Sequence, residues 1–483
     1  MRIVRICGLS HNPNVTLYEN YADEIGRLIA SGTLRAGDPL PSVRQARASR
    51  GISASTVFQA YHLLEARGLV RARPRSGYFV LPRPLLREAP PPSRPLAGSH
   101  SVAVSELVFE VLSAVKSREI APLGSAFPSP ELFPLEALRR AMNAGMRKLK
   151  PWSTVDDLPP GHEPLRRQIA RRYLHLGMSV TPEQIVLSNG ALDGLNLCLQ
   201  AVTKPGDAVV VESPCFYAAL QALERLGLKA IEVATDSATG IDLAALARLL
   251  ERRKPQAVWL MTSFQNPLGS LMPNDKKRAL VELLNRHQVP LIEDDVYAEL
   301  YHGESAPLPA KAFDTEGLVL HCSSFSKSLA PGYRVGWALP GRYAERVARL
   351  KLMTSLSGSI PAQAALAEYL QDGAFDRHLA QMRRRLQTQQ QQMLAALEQH
   401  FPAGTRLTRP LGGYFVWVEL PPQIDALALH RAAARDAISL APGPMFSARA
   451  EFRHCLRLNT GHPWTPQIEQ AIATLGRLAH GLR

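Results

Sequence analysis

A chain of 483 residues with 46% hydrophobic and 20% charged residues is long enough for two or three cores, and it has no unbroken apolar run of about 18 residues, which excludes a membrane-spanning helix. Its five cysteines (Cys7, Cys198, Cys215, Cys322, Cys455) are scattered without a Cys-x-x-Cys pair and offer no metal site; with too short an apolar run in residues 1–7 for a secretory signal, they predict a cytoplasmic protein. The net charge of +14 is uneven: residues 1–100 hold fourteen Arg and no Lys against six acids, the footprint of a segment that meets a polyanion.

In chain order, Leu17, Tyr21, Ile25, Leu28 and Ile29 recur at helical spacing up to Gly32. After a Gly37-Asp38-Pro39 turn, Ser42 caps a short helix with Val43, Arg44 and Ala46, ended by Gly51. Ser53 caps a third helix with a buried face of Val57, Ala60, Tyr61 and Leu64, closed by Gly68. Two short strands, 69–72 and 78–81, flank Pro74-Arg75-Ser76-Gly77. Three helices and a hairpin predict a winged helix-turn-helix.

This stretch resembles the GntR family of bacterial DNA-binding domains through Gly32, Gly37, Leu40-Pro41-Ser42-x-Arg44, Ser53-x-Ser55-Thr56-Val57, Tyr61, Leu64, Gly68 and Ser76-Gly77-Tyr78-Phe79-Val80. The resemblance implies a domain over 12–81 that binds double-stranded operator DNA. Arg44 would contact phosphate, Ser53, Ser55 and Thr56 would lie at the groove, and Arg75, Ser76 and Gly77 would form the wing tip. A polar residue at a helix start also serves simply as a cap, and Ser53 is open to either role. Ala54 stands where the family often has Arg, which alters the operator preference.

Residues 82–104 carry Pro82, Pro84, Pro90, Pro91, Pro92 and Pro95, a composition for an extended linker. From 105 to 483, helical segments alternate with apolar runs at 185–187, 208–211, 257–261, 290–292 and 317–320. The alternation predicts an α/β domain with a mostly parallel sheet and helices on both faces, its site at the carboxyl ends of the strands.

The last of these runs opens into Ser323-Ser324-Phe325-Ser326-Lys327-Ser328-Leu329-Ala330-Pro331-Gly332-Tyr333-Arg334. A lysine among hydroxyls, with a cation nearby, is a candidate imine former, and Ser324, Ser326 and Arg334 are suited to a phosphate. The segment resembles the Schiff-base motif of fold type I aminotransferases, which use pyridoxal 5'-phosphate (PLP) and add a smaller C-terminal α+β subdomain. By that resemblance Lys327 bonds the cofactor and Gly190, Ala191 and Leu192 hold its phosphate at a helix start. Phe216 stacks on the ring, Asn266 of Asn266-Pro267-Leu268-Gly269 and Tyr297 bond the ring oxygen, and Asp294 pairs with the ring nitrogen. Asp294 is preferred to Asp295 on the family's spacing to Tyr297. Arg457 would clamp a substrate carboxylate, with Arg453 the surface alternative. Asp156 stands where the family often has an aromatic residue that contacts a partner subunit.

The two resemblances together are the layout of the MocR-type subfamily of GntR regulators. That implies a homodimer that binds DNA and senses an amino acid, an amine or a PLP vitamer. The alternative is a working aminotransferase with an accessory helix-turn-helix.

Overall fold

The computed structural model describes residues 16–35, 37–66, 69–73, 77–80, 87–95, 97–113, 120–154 and 158–482. Helix α1 (Leu17–Ala30) starts in a capping box, the Thr16 amide donating to Glu19 at 3.0 Å. Helix α2 (Val43–Arg50) does the same with Ser42 and Gln45, and Gly51 ends it at φ 67°, the left-handed region that glycine enters without strain. Helix α3 (Ala54–Ala66) begins where the Thr56 amide donates to Ser53 Oγ at 3.1 Å, so Ser53 acts as a cap. Strands β1 (Val70–Arg73) and β2 (Gly77–Val80) pair antiparallel, and the Leu40 amide donates to Tyr78 O at 2.8 Å along the free edge.

Tyr21, Ile25, Ile29, Leu40, Val57, Ala60, Tyr61, Leu64, Val70 and Val80 pack as one core, with the Tyr61 hydroxyl donating to Pro41 O at 2.6 Å. Leu17, the first of the apolar residues at helical spacing, is 56% exposed, and the buried side of α1 starts at Tyr21. The predicted wing residues Arg75 and Ser76, with Gly68, lie outside the described residues, and Gly77 opens β2.

The chain divides into two compact units, one of Met1–Leu86 with Gln391–Gln399 and the other of Arg87–Gln390 with His400–Arg483. The main sheet of the larger unit is built from β3 (His100–Ser101), β4 (Val186–Ser188), β5 (Ala208–Ser213), β6 (Lys229–Asp236), β8 (Ala257–Leu260), β9 (Leu291–Asp294), β10 (Val319–Ser324) and β11 (Gly336–Leu339), in the order β3-β6-β5-β8-β9-β10-β11-β4, with β7 (Gly240–Ile241) on β6. The run β6-β5-β8-β9-β10 is parallel, β3 and β11 run against it, and β4, antiparallel to β11, points the same way as the parallel run. A second, antiparallel sheet holds β12 (Arg406–Leu407), β13 (Phe415–Glu419), β15 (Cys455–Asn459) and β14 (Ala441–Pro442). In the main sheet β3, β6, β7 and β11 escaped the apolar pattern, and β6 did so because it mixes Lys229, Glu232 and Thr235 with its apolar residues. Ser323 and Ser324 belong to β10 and not to the following loop, because they pair with Trp337 and Gly336.

The proline-rich stretch is not a free spacer over its described part. Prolines lack the amide but keep the carbonyl, and Pro90 O accepts from Ser237 Oγ at 3.1 Å. Ser93 donates through Oγ to Ser213 O at 2.5 Å and accepts there from the Thr235 amide at 3.1 Å.

All five tryptophans (Trp152, Trp259, Trp337, Trp417, Trp464) lie in the larger unit, so tryptophan fluorescence reports on it alone. Leu64→Ala is expected to destabilise the smaller core by about 2–5 kcal/mol. In a denaturant series part of the helical circular dichroism should melt earlier while the fluorescence transition stays in place; coincident shifts would show that the two units unfold together.

Candidate functional site

The site lies at the carboxyl ends of β4, β5, β8, β9 and β10. β4 ends in Asn189-Gly190, and Gly190 takes φ 91° to start the helix Ala191–Val202. That glycine is required twice over. A Cβ on it would sit 2.3 Å from Arg334 Nη2, and a Cβ on Gly336 would sit 2.5 Å from Gly190 C. The guanidinium therefore rests on the turn, donating to Ser326 Oγ at 3.2 Å and to Asn189 O at 3.2 Å. Ser324 Oγ accepts from the Ser326 amide at 3.3 Å. The amides of Ala191 and Leu192, in the first turn, have no acceptor within the helix and carry its positive dipole end, so cup and guanidinium together can bind a phosphate. Leu192 contributes only its backbone, for its side chain has no polar atom and the residue is exposed.

Lys327 stands beside the cup. Its Nζ donates to Ala126 O at 2.9 Å and lies 3.8 Å from the centre of the Phe127 ring. Burial pulls its amine down to about 7, with Arg457 and Arg334 repelling the charge and Asp294 attracting it. Asp294, at the end of β9, is buried and its Oδ1 has no hydrogen-bond partner. Burial first, and the charge of Asp295 next, raise its carboxyl to about 7, against the pull of Lys327.

Asn266 is also buried. Its Oδ1 accepts from Arg457 Nη1 at 3.1 Å while Nδ2 has no acceptor. Tyr297 is 1% exposed, its ring 5.4 Å from that of Tyr414 and 5.6 Å from that of Phe415, and burial lifts its pKa so that the hydroxyl stays a donor. Phe216 sits just before the helix Tyr217–Arg225, half-buried, with its ring 5.0 Å from Tyr217.

Arg457 is fully buried on β15. It donates to Gly124 O at 2.7 Å and Ser125 O at 3.1 Å, and stacks 4.2 Å from the centre of the Phe415 ring. Arg453 is on the surface, paired with Asp425 at 2.9 Å. Of the two arginines only Arg457 reaches the cleft.

An unpartnered buried acceptor (Asp294 Oδ1) and an unpartnered buried donor (Asn266 Nδ2) next to a low-pKa lysine form a donor set that fits PLP. The acceptor suits a protonated ring nitrogen and the donor a ring oxygen.

Several participants carried too little local signal to be read in advance. Ala126 and Phe127 meet Lys327 across the fold, held by Asn459 Nδ2, which donates to Ser125 O and Phe127 O. Tyr414 follows Gly412-Gly413, and a Cβ on Gly412 would meet the Phe264 ring at 2.5 Å, so a Gly-Gly-Tyr turn was the available clue. Asp156 lies outside the described residues.

In the smaller unit, Arg44, Arg47 and Arg50 are exposed on α2 and Arg71 and Arg73 on β1. Ser55 is exposed in the first turn of α3 and Thr56 is half-buried, both hydroxyls 2.8 Å from Ser53 Oγ. Gln59 and His62, at i+4 and i+7 from Ser55, continue the exposed face and were passed over because isolated polar residues on a helix carry no distinctive pattern.

Residues 132–475 match the family model "Aminotransferase class I and II", and residues 17–80 match "Bacterial regulatory proteins, gntR family". The chain belongs to the class I and II aminotransferase family, joined to a GntR domain. This pairing is the MocR-type layout. The chain is 47% identical over 461 residues to the uncharacterized HTH-type transcriptional regulator YdcR of Escherichia coli, covering 95% of this chain and 98% of that one. It is 37% identical over 466 residues to the uncharacterized HTH-type transcriptional regulator YjiR of the same organism, covering 96% and 99%. Among solved structures it is similar to LysN, the alpha-aminoadipate aminotransferase of Thermus thermophilus complexed with N-(5'-phosphopyridoxyl)-L-leucine, at 30% identity and a TM-score of 0.71, covering 79% of this chain and 99% of that one.

Among the described residues no helix is long and apolar enough to cross a membrane. Glu419, His454 and Cys455 bring ligand atoms within 4.8 Å of one another, but Glu419 already accepts from Arg406 at 2.8 Å and burial keeps the Cys455 thiol protonated.

Because the folded-state pKa of Lys327 is lowered, the unfolded chain binds more protons between about 7 and about 10.4, and stability gains from this group as pH rises across that window. Asp294 acts oppositely: its raised pKa makes the native state the better proton binder between about 3.9 and about 7, and its contribution is lost as pH climbs through 7. In cofactor-free protein the reaction of Lys327 with an aldehyde should be half-maximal near pH 7; a midpoint at the ordinary lysine value would contradict the assigned electrostatics. Gly190→Ala should weaken phosphate binding by at least tenfold, about 1.4 kcal/mol, measured by fluorescence titration with PLP.

Proposed function

We propose that this chain is a PLP-dependent transcriptional regulator of the cytoplasm, a homodimer that binds operator DNA through its GntR unit and responds to a primary amine at Lys327. The observation that carries this reading is the pair of unpartnered buried atoms, Asp294 Oδ1 and Asn266 Nδ2, beside a lysine poised near pH 7, in a chain that also carries a DNA-binding module. When bound, PLP would supply an electrophilic aldehyde carbon within reach of amines and a ring that withdraws electrons.

The chain's own groups divide the remaining work. The Ala191 and Leu192 amides, Ser324, Ser326 and Arg334 hold the phosphate, and Phe216 packs on the ring. Asp294 Oδ1 accepts the ring N–H and, kept ionised by it, holds that proton in place. Asn266 Nδ2 and the Tyr297 hydroxyl donate to the ring oxygen. Lys327 Nζ accepts and returns a proton near neutral pH, and Arg457 receives the carboxylate of an amino-acid ligand. The effector is an amino acid, an amine or a PLP vitamer; such a ligand switches the protein only by binding two of its conformations unequally. The exposed Leu135, Trp152 and Met353 support a dimer, being apolar surface that a second copy would cover.

On DNA, Arg44 neutralises a phosphate, and Ser55 and Thr56 lie at the groove. The transaminase reading keeps one specific support, the buried Arg457 facing the same cleft as Lys327. The two are separated by fluorescence anisotropy on a duplex from upstream of this protein's own coding region against a scrambled duplex, at one fixed salt concentration.

A regulator binds the first duplex selectively, and PLP with an amine changes that affinity. Lys327→Ala should keep selective binding and lose the amine response, and Arg44→Ala should weaken binding on both duplexes and reduce the salt slope by about one. Equal binding of both duplexes, with turnover of an amino acid and a 2-oxo acid, would favour the enzyme.

A further inference from the structure

Strand alternation sends Asp294 and its neighbours Glu293 and Asp295 to opposite faces of the main sheet. Asp294 serves the cleft with Lys327. Behind the sheet lies a separate cavity of about 460 Å³, whose floor holds Asp295, His321, Ser323 and Trp337. Its polar floor is largely satisfied. Glu293 accepts from His321 Nδ1 at 2.9 Å, from Thr262 Oγ1 at 2.6 Å and from the Ala310 amide at 2.6 Å. Tyr173 OH lies 2.8 Å from His321 Nε2 and accepts from Trp337 Nε1 at 2.8 Å. Asp295 is the exception: it is 6% exposed, and its Oδ1 has no partner.

The cations around Asp295 are already engaged. Lys277 Nζ donates to Ser263 Oγ at 3.0 Å and to Leu308 O at 2.6 Å. Arg172 is shared between Glu299 at 2.7 Å and Asp376 at 3.0 Å. Arg383 lies 4.0 Å from the centre of the Tyr301 ring and donates to Leu379 O at 3.2 Å. The cavity lining thus sets three carboxylates, Asp295, Glu299 and Asp376, against two guanidinium groups, with His175 and His321 beside them. Leu176, Leu308, Leu379, Tyr301 and Trp337 supply apolar wall. A buried carboxylate oxygen with no donor, in a roomy cavity with an acidic excess and an apolar wall, is a receptor for a cation that brings its own N–H groups.

We propose that this cavity is a second ligand site, on the face of the sheet opposite the imine site, for a small organic cation of the amidine or guanidine class with an apolar body, its N–H group donating to Asp295 Oδ1. A cation held there also favours the ionised form of Asp295, whose carboxyl burial and the charge of Glu293 raise to about 7.

The test uses benzamidine, whose amidinium has N–H donors and forms no stable imine at Lys327. Titrated calorimetrically into the PLP-loaded full-length protein at pH 7, it should bind one site per chain. Asp295→Asn should weaken that binding by about tenfold or more, the scale of a lost charge-assisted hydrogen bond. Ala306→Trp, which narrows the cavity and changes no charge, should weaken it as strongly, and the visible absorbance of the bound cofactor shows that each variant is folded. The proposal is overturned if there is no saturable binding at millimolar probe, if both variants bind like the parent, or if Asp295→Asn alone loses binding, since that last result would place the probe outside this cavity.

Discussion

A partly buried lysine amine, with two guanidinium groups repelling its charge and a buried carboxylate attracting it, is the constraint on which the larger unit depends. Burial first brings Lys327 near neutrality, and Arg457 and Arg334 add to it from different parts of the chain, one from β15 of the antiparallel sheet and one from the loop between β10 and β11. Neither arginine can be withdrawn without returning the amine toward its ordinary pKa. Asp294 is caught in the same balance, raised by its own burial and by Asp295 and lowered by Lys327. Lys327, Asp294, Arg457 and Arg334 therefore set one another's charge, and the sheets and the loop after β10 hold them at that separation.

The phosphate cup is fixed by sterics. Gly190, Gly336 and the Arg334 guanidinium occupy one small volume, and a single added carbon at either glycine would strike a neighbour closer than 3 Å. Arg334 itself takes φ 52°, an uncommon left-handed conformation for a residue with a side chain, so backbone and side chain are both committed to this packing. Tight packing at the cup and charge balance at Lys327 are separate devices, and both lie where a parallel sheet ends its strands. The antiparallel β11, with β4 paired beyond it, extends that edge and carries the glycine turn to Arg334.

Much of this was legible because the chemistry is written in short motifs. Lys327, Asp294, Asn266 and the Gly190 turn each follow an apolar run, and a strand followed by a functional turn leaves a local signature. The winged unit was legible for a similar reason, since Ser42, Gly51 and Ser53 carry the side-chain or backbone chemistry that ends helices. What escaped was non-local. Ala126 and Phe127 reach Lys327 across some two hundred residues of sequence, through a backbone carbonyl and a ring that any composition would allow. The docking of Ser93 on Ser213 and Thr235 was hidden by proline content, which reports the cost of forming regular structure and says nothing of carbonyls and hydroxyls free to bond a neighbouring strand.

The amino-acid sequence by itself determined the two-module plan and the short strand-and-turn motifs that carry Lys327, Asp294 and Asn266, because hydrophobic periodicity and helix-end chemistry act over a few residues. Only the tertiary structure decided which of Arg453 and Arg457 faces the cleft, that Asp294 and Asp295 serve opposite sides of one sheet, and that a polar cavity backs the site. Those outcomes depend on which strands pair and which face each presents, and pairing is settled by packing between segments far apart in the chain.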